Sequence, residues 1–495
     1  MSSEASPLGA LQSMSTTFIL LFFSFTVLFS VFSLLIFILR MKPWCNCETC
    51  RSYLTMSWTS KFKNLCDWYT HLLRQSPTGT IHVHVLGNTI TTNPENVEYI
   101  LKTRFDNYPK GKPFSTILGD LLGQGIFNVD GDCWKFQRKM ASLELGSVAI
   151  RTYALEIVTY EIQSRLIPLL ASTAAGERDG VMDLQDILRR FSFDNICKFS
   201  FGLDPGCLLP SLPVSRIAVA FDEASRLSAE RAMMASPMVW KVKRLLNMGS
   251  EKKLKEAINV VNDLAEEMIS QRRQMGFSTK KDLLSRFMSS VKDDVYLRDI
   301  VVSFLLAGRD TVAAALTGFF YLLSNHPQVE SLIREELDRI MDPGQAVACF
   351  EQMRRMHYLT AAVYESMRLY PPVQFDSKFA VEDDILPDEF KPERWLQEGV
   401  FVPGCPYKYP VFQAGARVCL GKELALVEIK SVVAALVKRF DIRIVDGSQE
   451  PRFARVSLPP LETVYRFKFV REETRAYIQT MLCNASKAQL NLQMA

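Results

Sequence analysis

The chemistry in this chain concentrates on one cysteine. Cys419 lies in the stretch Phe412-Gln413-Ala414-Gly415-Ala416-Arg417-Val418-Cys419-Leu420-Gly421, and residues 421–440 follow it with helical periodicity. Such a loop delivers the thiol to a helix N-terminus, where unpaired N–H groups and the helix dipole lower its pKa and favour the thiolate. A thiolate is an electron-donating axial ligand for haem iron. Gly415 and Gly421 would let backbone run close to a flat macrocycle where a Cβ would collide. A lone cysteine is ordinarily a buried packing residue; the whole pattern F-x-x-G-x-R-x-C-x-G favours the ligand.

Three further constellations accompany it. Ala307-Gly308-Arg309-Asp310-Thr311 falls in the middle of a long apolar helical stretch, where glycine is disfavoured without a packing or functional reason. Thr311 can hydrogen-bond back to a carbonyl one turn earlier and open a groove beside Asp310. Taken alone, the stretch also reads as a packing glycine with a back-bonded threonine. Glu365 and Arg368 are spaced i, i+3, so they face each other on a helix. Trp134 and Arg138 are four apart and share a helix face, which by itself describes a half-exposed amphipathic helix.

Together these stretches resemble cytochromes P450, and the resemblance covers most of residues 50–454. It implies a mainly α fold with small β-sheets and a haem b held by the Cys419 thiolate, with Phe412, Gly415 and Gly421 in the haem loop. Trp134 and Arg138 would meet one haem propionate, with Arg417 on the other propionate side. Asp310 and Thr311 would relay protons toward the oxygen-binding position. Glu365, Arg368 and Arg394 would form a buried network supporting the haem-loop side. Substrate contacts would come from Phe114, Ile117, Leu118 and Leu121, from Phe304, Leu305 and Val312, and from Val373, Gln374, Phe375 and Asp376. That lining is mostly apolar with a few polar anchors, as an oxygenated lipid-like molecule requires. The runs at 93–112 and from Tyr370, with C-N-C-x-x-C-R-S-Y-L-T at 45–55, are similar to plant fatty-acid ω-hydroxylases. They are most similar to the subgroup that takes the ω-carbon of jasmonoyl-isoleucine through alcohol to carboxylate. A mid-length fatty acid is the alternative substrate. The implied electron donor is NADPH–cytochrome P450 reductase, docking on Lys135, Lys139, Lys408, Lys422 and Lys438.

Several elements must position these residues. Thr16–Leu39 is a nearly uncharged apolar run, and a bilayer span takes roughly 20 residues. Arg40 and Lys42 follow it, while Glu4 and no Lys or Arg precede it, which predicts a signal anchor with the remainder in the cytosol. The expected organisation is a tail and anchor over 1–42, placed in the endoplasmic reticulum membrane, and a haem domain over 43–495. Thr80–Thr92 alternates around Gly87-Asn88 and predicts a β-hairpin, with His82 and His84 on one strand face as ordinary strand residues. Helices are expected near 148–172, 181–200, 251–275, 296–325 and 421–440. Cys45, Cys47 and Cys50 have zinc-like spacing, but the next candidate ligands are Cys66 and His71, so they read as a reduced membrane-proximal hinge. A formal charge of +4 over 495 residues is too small to suggest nucleic-acid binding.

Two departures from the family pattern stand out. The segment between Arg368 and Arg394 is shorter than in relatives: Leu386-Pro387-Asp388 passes directly to Glu389-Phe390-Lys391, omitting a β segment near 388. After Phe453-Ala454 the chain reads Arg455-Val456-Ser457-Leu458-Pro459-Pro460 and continues as a polar tail in place of a glycine-rich hairpin. Three readings follow: an active monooxygenase, an inactive splice or gene-model variant lacking part of the haem domain, and a non-haem membrane protein whose cysteines bind zinc.

Overall fold

The computed structural model describes residues 24–32, 45, 47–373, 396–444 and 466–471, apart from short breaks at 63–64, 87, 104, 106–107, 176–180, 234–236, 277–281 and 405. Gln374, Phe375, Asp376 and Arg394 lie outside these residues, as do the segment near 388 and most of the apolar run at 16–39. Within that run, residues 24–32 are helical, and Phe25, Leu28, Val31 and Phe32 lie uncovered.

The described part is helical with small antiparallel sheets, as the sequence predicts. Its axis is the Asp294–Asn325 helix, opened by Asp293, whose carboxylate accepts the Val295 and Tyr296 N–H groups. Satisfying those N–H groups is what an N-cap contributes. This helix is long and apolar enough to cross a membrane, yet 67% of its apolar window is inside the protein, which marks a core helix. Its first half, through Leu306, packs with the Gly111–Leu122, Leu184–Phe201 and Gly249–Met275 helices. Its second half, from Val312, packs with the Pro327–Ile340, His357–Leu369 and Lys422–Val437 helices. Gly308, Asp310 and Thr311 therefore occupy the seam between two hydrophobic cores. Full burial of each Leu or Phe in those cores contributes roughly 1.5–3 kcal/mol.

Gly308 has a clear packing role. A Cβ there would stand 2.3 Å from Ile196 Cδ1 on the Leu184–Phe201 helix. The glycine lets two helices approach closely, so close packing accounts for it without a groove.

The expected helices are present. The 148–172 stretch is the Val148–Glu161 helix continued through a wide turn, Ile162–Leu166, into Ile167–Ala174. Its loosened turn starts beside Glu161, which is fully buried and paired with Lys198 and Arg165. The hairpin is also present, pairing Thr80–Val83 with Asn88–Thr91 in antiparallel register, Ile81 opposite Ile90. It ends sooner than alternation suggests. His84 has left the strand for a 3-10 turn, His84–Leu86, so His82 and His84 do not share a strand. His82 Nδ1 lies 2.9 Å from Thr89 Oγ1, while His84 turns toward the cysteines of the Cys45–Cys50 segment.

Two other sheets lie outside the sequence expectation. Leu396–Gln397 and Val400–Phe401 form a hairpin whose turn residues Glu398 and Gly399 both have positive φ, 52° and 78°. That is the twist a two-residue hairpin needs. Arg466–Arg471, inside the stretch read as a polar tail, pairs with both Phe440–Ile444 and Val181–Asp183 as the middle strand of three.

Candidate active site

The Cys419 loop is built from two single turns, Pro410–Phe412 and Gly415–Arg417. The Cys419 N–H donates to the Phe412 carbonyl at 2.7 Å, folding the loop back over its own start. Gly415 has φ +63°, and a Cβ there would meet the Leu101 carbonyl oxygen at 2.1 Å. Its requirement is therefore imposed by protein backbone. At Gly421 an added Cβ would meet Cys419 Sγ at 3.9 Å, an ordinary contact, so no protein atom demands glycine there.

The thiol is delivered to the start of the Lys422–Val437 helix, with the Gly421 and Lys422 N–H groups directed at its sulfur. Its side chain is solvent-accessible although protein surrounds much of it. Burial pushes the free thiol's pKa up, and outweighs the lowering by those N–H groups, Arg138 and Lys422. The expected lowering by the helix terminus is thus real in sign but smaller than desolvation.

Trp134 and Arg138 share a face of the Gly131–Leu145 helix, Trp134 buried and Arg138 half-buried. Burial lowers the Arg138 pKa while Cys419 draws it up, which places the guanidinium near the sulfur. Among the described residues no hydrogen bond or ion pair reaches Arg138. A partly buried, unpaired guanidinium calls for an anion. Arg417, in contrast, is committed: Nη2 lies 2.7 Å from Asp130 Oδ1 and 3.1 Å from the Val129 carbonyl, and its guanidinium covers the Trp134 ring at 4.5 Å. Asp130 in turn accepts the Lys110 and Gly111 N–H groups, each at 2.9 Å.

On the central helix Thr311 Oγ1 donates to the Ala307 carbonyl at 2.5 Å, the expected back-bond. Asp310 is buried, and burial raises its pKa against the pull of Arg309 and Arg189. Its Oδ1 has an Arg309 nitrogen at 3.5 Å and no hydrogen bond. Arg309 was not singled out by the sequence, yet it bridges Asp310 to Asp222 at 2.6 Å and lies over the Phe193 and Phe221 rings. Its position inside the motif was the only available signal.

Glu365 and Arg368 form a two-point pair, Nε to Oε2 at 2.9 Å and Nη2 to Oε1 at 3.1 Å, with Glu365 fully buried. An aromatic stack joins their helix to the cysteine loop. The Tyr364 ring meets Phe401 at 4.7 Å, Tyr409 at 5.3 Å and Phe412 at 6.5 Å. Lys422 Nζ lies over Tyr364 and Phe412, and Tyr409 Oη donates to the Tyr364 carbonyl at 2.7 Å.

The substrate candidates separate. Leu118, Leu121 and Leu305 are core residues, with Phe114, Ile117 and Phe304 partly buried against the same cluster as Leu420 and Leu424, beside Cys419. Val312 belongs to the other core, and Val373 is exposed. The docking candidates separate too. Lys135, Lys139 and Lys408 are exposed. Lys422 is engaged with aromatic rings, and Lys438 pairs with Asp338 at 3.1 Å.

Sequence reasoning also missed Glu428, on the Lys422–Val437 helix. It accepts a hydrogen bond from Asn195 Nδ2 at 3.5 Å, and burial pushes its carboxyl up to about 8. It missed His84 as well, whose Nδ1 stands 3.4 Å from Cys45 Sγ.

A thiol with two N–H donors on its sulfur, an unpaired guanidinium beside it, and a buried acid and alcohol on a helix passing between two cores fit a haem-thiolate oxygenase. The cytochrome P450 family model matches residues 58–386 and 385–467. Cytochrome P450 94C1 of Arabidopsis thaliana is 57% identical over 474 residues, covering 88% of this chain and 95% of the relative. Cytochrome P450 94B3 of the same plant is 46% identical, covering 78% and 84%. Cytochrome P450 94A1 of Vicia sativa is 42% identical, covering 81% and 87%. The crystal structure of the cytochrome P450DA heme domain superposes with a TM-score of 0.65 at 19% identity, over 82% of this chain and 92% of that one. The chain therefore belongs to the cytochrome P450 family, as a monooxygenase of a class that holds haem through a thiolate and receives electrons from a reductase. Within the family it groups with the plant 94 relatives.

Proposed function

We propose that this chain is a membrane-anchored monooxygenase that oxidises the ω-carbon of jasmonoyl-amino acid conjugates, from alcohol to carboxylate. The observation that carries the oxygenase reading is the accessible Cys419 sulfur, held at a helix start by two N–H donors beside an unpaired Arg138. The resemblance at 45–55, 93–112 and after Tyr370 supports the substrate class, together with the apolar surface around Phe114 and Phe304. Haem, when bound, supplies dioxygen activation. The protein's own part is to hold it and to move protons. Cys419 would hold the haem iron through its sulfur, whose anionic form the Gly421 and Lys422 N–H groups favour. Arg138, with Trp134 on the same face, offers a charge-assisted bond to a propionate. Asp310, kept protonatable by burial, passes a proton through the Thr311 hydroxyl at the seam. Glu365 and Arg368 position the loop through the Tyr364 stack. Residues 1–42 are read as tail and anchor, placing the enzyme in the endoplasmic reticulum membrane, and Lys135, Lys139 and Lys408 as the docking face for the reductase.

A second reading, an inactive variant, has its own support. The family match is broken at 385–386, beside the segment that reads as shortened. The 474-residue alignment with the Arabidopsis 94C1 relative also uses fewer residues of this chain than its own length. A carbon-monoxide difference spectrum on reduced microsomes separates the two. A thiolate-type Soret band supports the enzyme, and an imidazole-type band or no haem supports the variant. Jasmonoyl-isoleucine and lauric acid, each supplied with NADPH and reductase, then distinguish substrates. Product from neither would reject the active reading.

A further inference from the structure

We propose that Cys45, Cys47, Cys50 and His84 bind one zinc ion. The four ligand atoms all lie within 4.8 Å of one another. Cys45 Sγ is 3.5 Å from Cys47 Sγ, and His84 Nδ1 is 3.4 Å from Cys45, 3.9 Å from Cys47 and 3.9 Å from Cys50. Zn–S bonds of about 2.3 Å and Zn–N bonds of about 2.0 Å in a tetrahedron put sulfurs about 3.8 Å apart and sulfur to nitrogen about 3.5 Å. The Cys45–Cys47 pair and the three cysteine–His84 separations fall within about half an ångström of those figures, and the remaining sulfur pairs lie within 4.8 Å. A disulfide needs sulfurs about 2.05 Å apart, so the geometry is not that of a bonded pair.

The ligands come from two well-packed elements. Cys47 caps the Glu48–Thr55 helix, accepting the Cys50 N–H at 3.4 Å, and Cys50 is completely buried one turn on. His84 stands between Val83 and Val85, both completely buried in the cluster that holds Cys50, Trp68 and Tyr69. The Val85 N–H is directed at the Cys50 sulfur. N–H donors on the sulfurs and buried neighbours on both sides are the outer support a closed structural site uses. The three sulfurs and one imidazole select zinc over magnesium or calcium, which prefer oxygen. Such an ion would join the segment leaving the anchor to the first hairpin of the haem domain. The cluster escapes sequence reading because His84 is 34 residues from Cys50 and its strand ends one residue early.

The full chain, purified in detergent under reducing conditions, tests this by zinc analysis and by alkylation mapped to each cysteine. One zinc per chain is expected, with the thiols of Cys45, Cys47 and Cys50 protected until a strong chelator is added. Cys47→Ser/Cys50→Ser should lose the zinc. The surface substitution His84→Asn keeps the buried packing and should lose zinc more readily to a competing chelator, while His82→Asn should not. Zinc no higher than in the double-serine variant, freely alkylated thiols before chelation, or a Cys45–Cys47 disulfide in the purified chain would overturn the proposal. None of these readouts depends on haem content or oxygenase activity.

Discussion

Glu428→Gln isolates one buried carboxyl on the helix that carries the cysteine loop. Its pKa is raised from 4.5 to about 8, first by burial, against a hydrogen bond from Asn195 that favours the anion. The sign follows from proton counting. Below about pH 4.5 both folded and unfolded chains hold the proton, and this group's stabilising contribution is complete. As pH rises toward 8 the unfolded chain releases the proton and the folded chain keeps it, so stability falls; above 8 both are ionised and the loss levels off. Each pH unit in this window is worth about 1.4 kcal/mol, so two units give about 2.7 kcal/mol for a fully enclosed group. Glu428 retains some solvent contact, which reduces the expectation to about 1–2 kcal/mol. Glutamine is near-isosteric and cannot titrate. Denaturant midpoints of the detergent-solubilised protein and its variant, measured at pH 5.5 and 7.5, should show the variant's advantage growing by about that amount. Asp310, Glu161 and Asp194, also raised by burial, cancel between the two proteins. An advantage that is constant or shrinks with pH would show that Glu428 is ionised in the folded protein and would refute the reasoning.

Arg138→Ala should speed haem loss to an apo-globin acceptor about tenfold or more, a change of about 1.4 kcal/mol or above; unchanged haem retention would remove Arg138 from the propionate role. Thr311→Val should lower product formation about a hundredfold while NADPH consumption persists. Product and NADPH falling together would instead indicate a failure of binding or folding. Gly308→Ala should destabilise the fold by about 1–3 kcal/mol through the Ile196 contact, measured by denaturant midpoint, and Ile196→Ala in the same chain should restore most of it. Charge reversal of Lys135 and Lys408 together should slow reduction by the reductase at low salt and lose its effect at high salt; stopped-flow rates equal to wild type would exclude this face.

The residues that bear on chemistry were legible where short-range spacing determines their neighbours. The Cys419 loop, the Thr311 back-bond and the Glu365–Arg368 pair are all local in sequence, so a loop pattern or an i, i+3 or i, i+4 rule was enough. What escaped involves partners far along the chain. Gly308 is explained by Ile196, Gly415 by the Leu101 carbonyl, and Arg309 by Asp222, none of which a local pattern can supply. Arg417 was expected beside a propionate, and in this fold it lies on Asp130 and Trp134. The Cys419 thiol reversed the expected direction because enclosure by the whole fold outweighed the local helix terminus. Among the sheets, the first hairpin was readable from its alternation, although its turn falls at His84–Leu86 and Asn88 already pairs with Val83. The Arg466–Arg471 strand was not, because its two partners lie more than twenty and more than two hundred residues away.

The shortened segment bears on activity through what still joins the chain across it. Phe401 and Tyr409, after the segment, both stack on Tyr364 of the helix before it, and the Phe401 N–H donates to His357 Nδ1 at 3.1 Å. Tyr409 is hydrogen-bonded to the Tyr364 carbonyl, and Phe412 at the start of the cysteine loop reaches the same ring. The loop is therefore referred to the Glu365–Arg368 helix by contacts that need none of residues 374–395. Aromatic pairs of this kind are worth about 0.5–1.5 kcal/mol each beyond their area. Together with the hydrogen bonds they can hold the loop if the network around Glu365 is otherwise satisfied. Arg394 is then the residue on which the two functional readings divide. If the Tyr364 stack alone positions the loop, Arg394→Ala leaves the thiolate-type carbon-monoxide band in place, while Tyr364→Ala abolishes it. If the network across the shortened segment does the positioning, Arg394→Ala abolishes the band even though Glu365 keeps its two-point pair with Arg368.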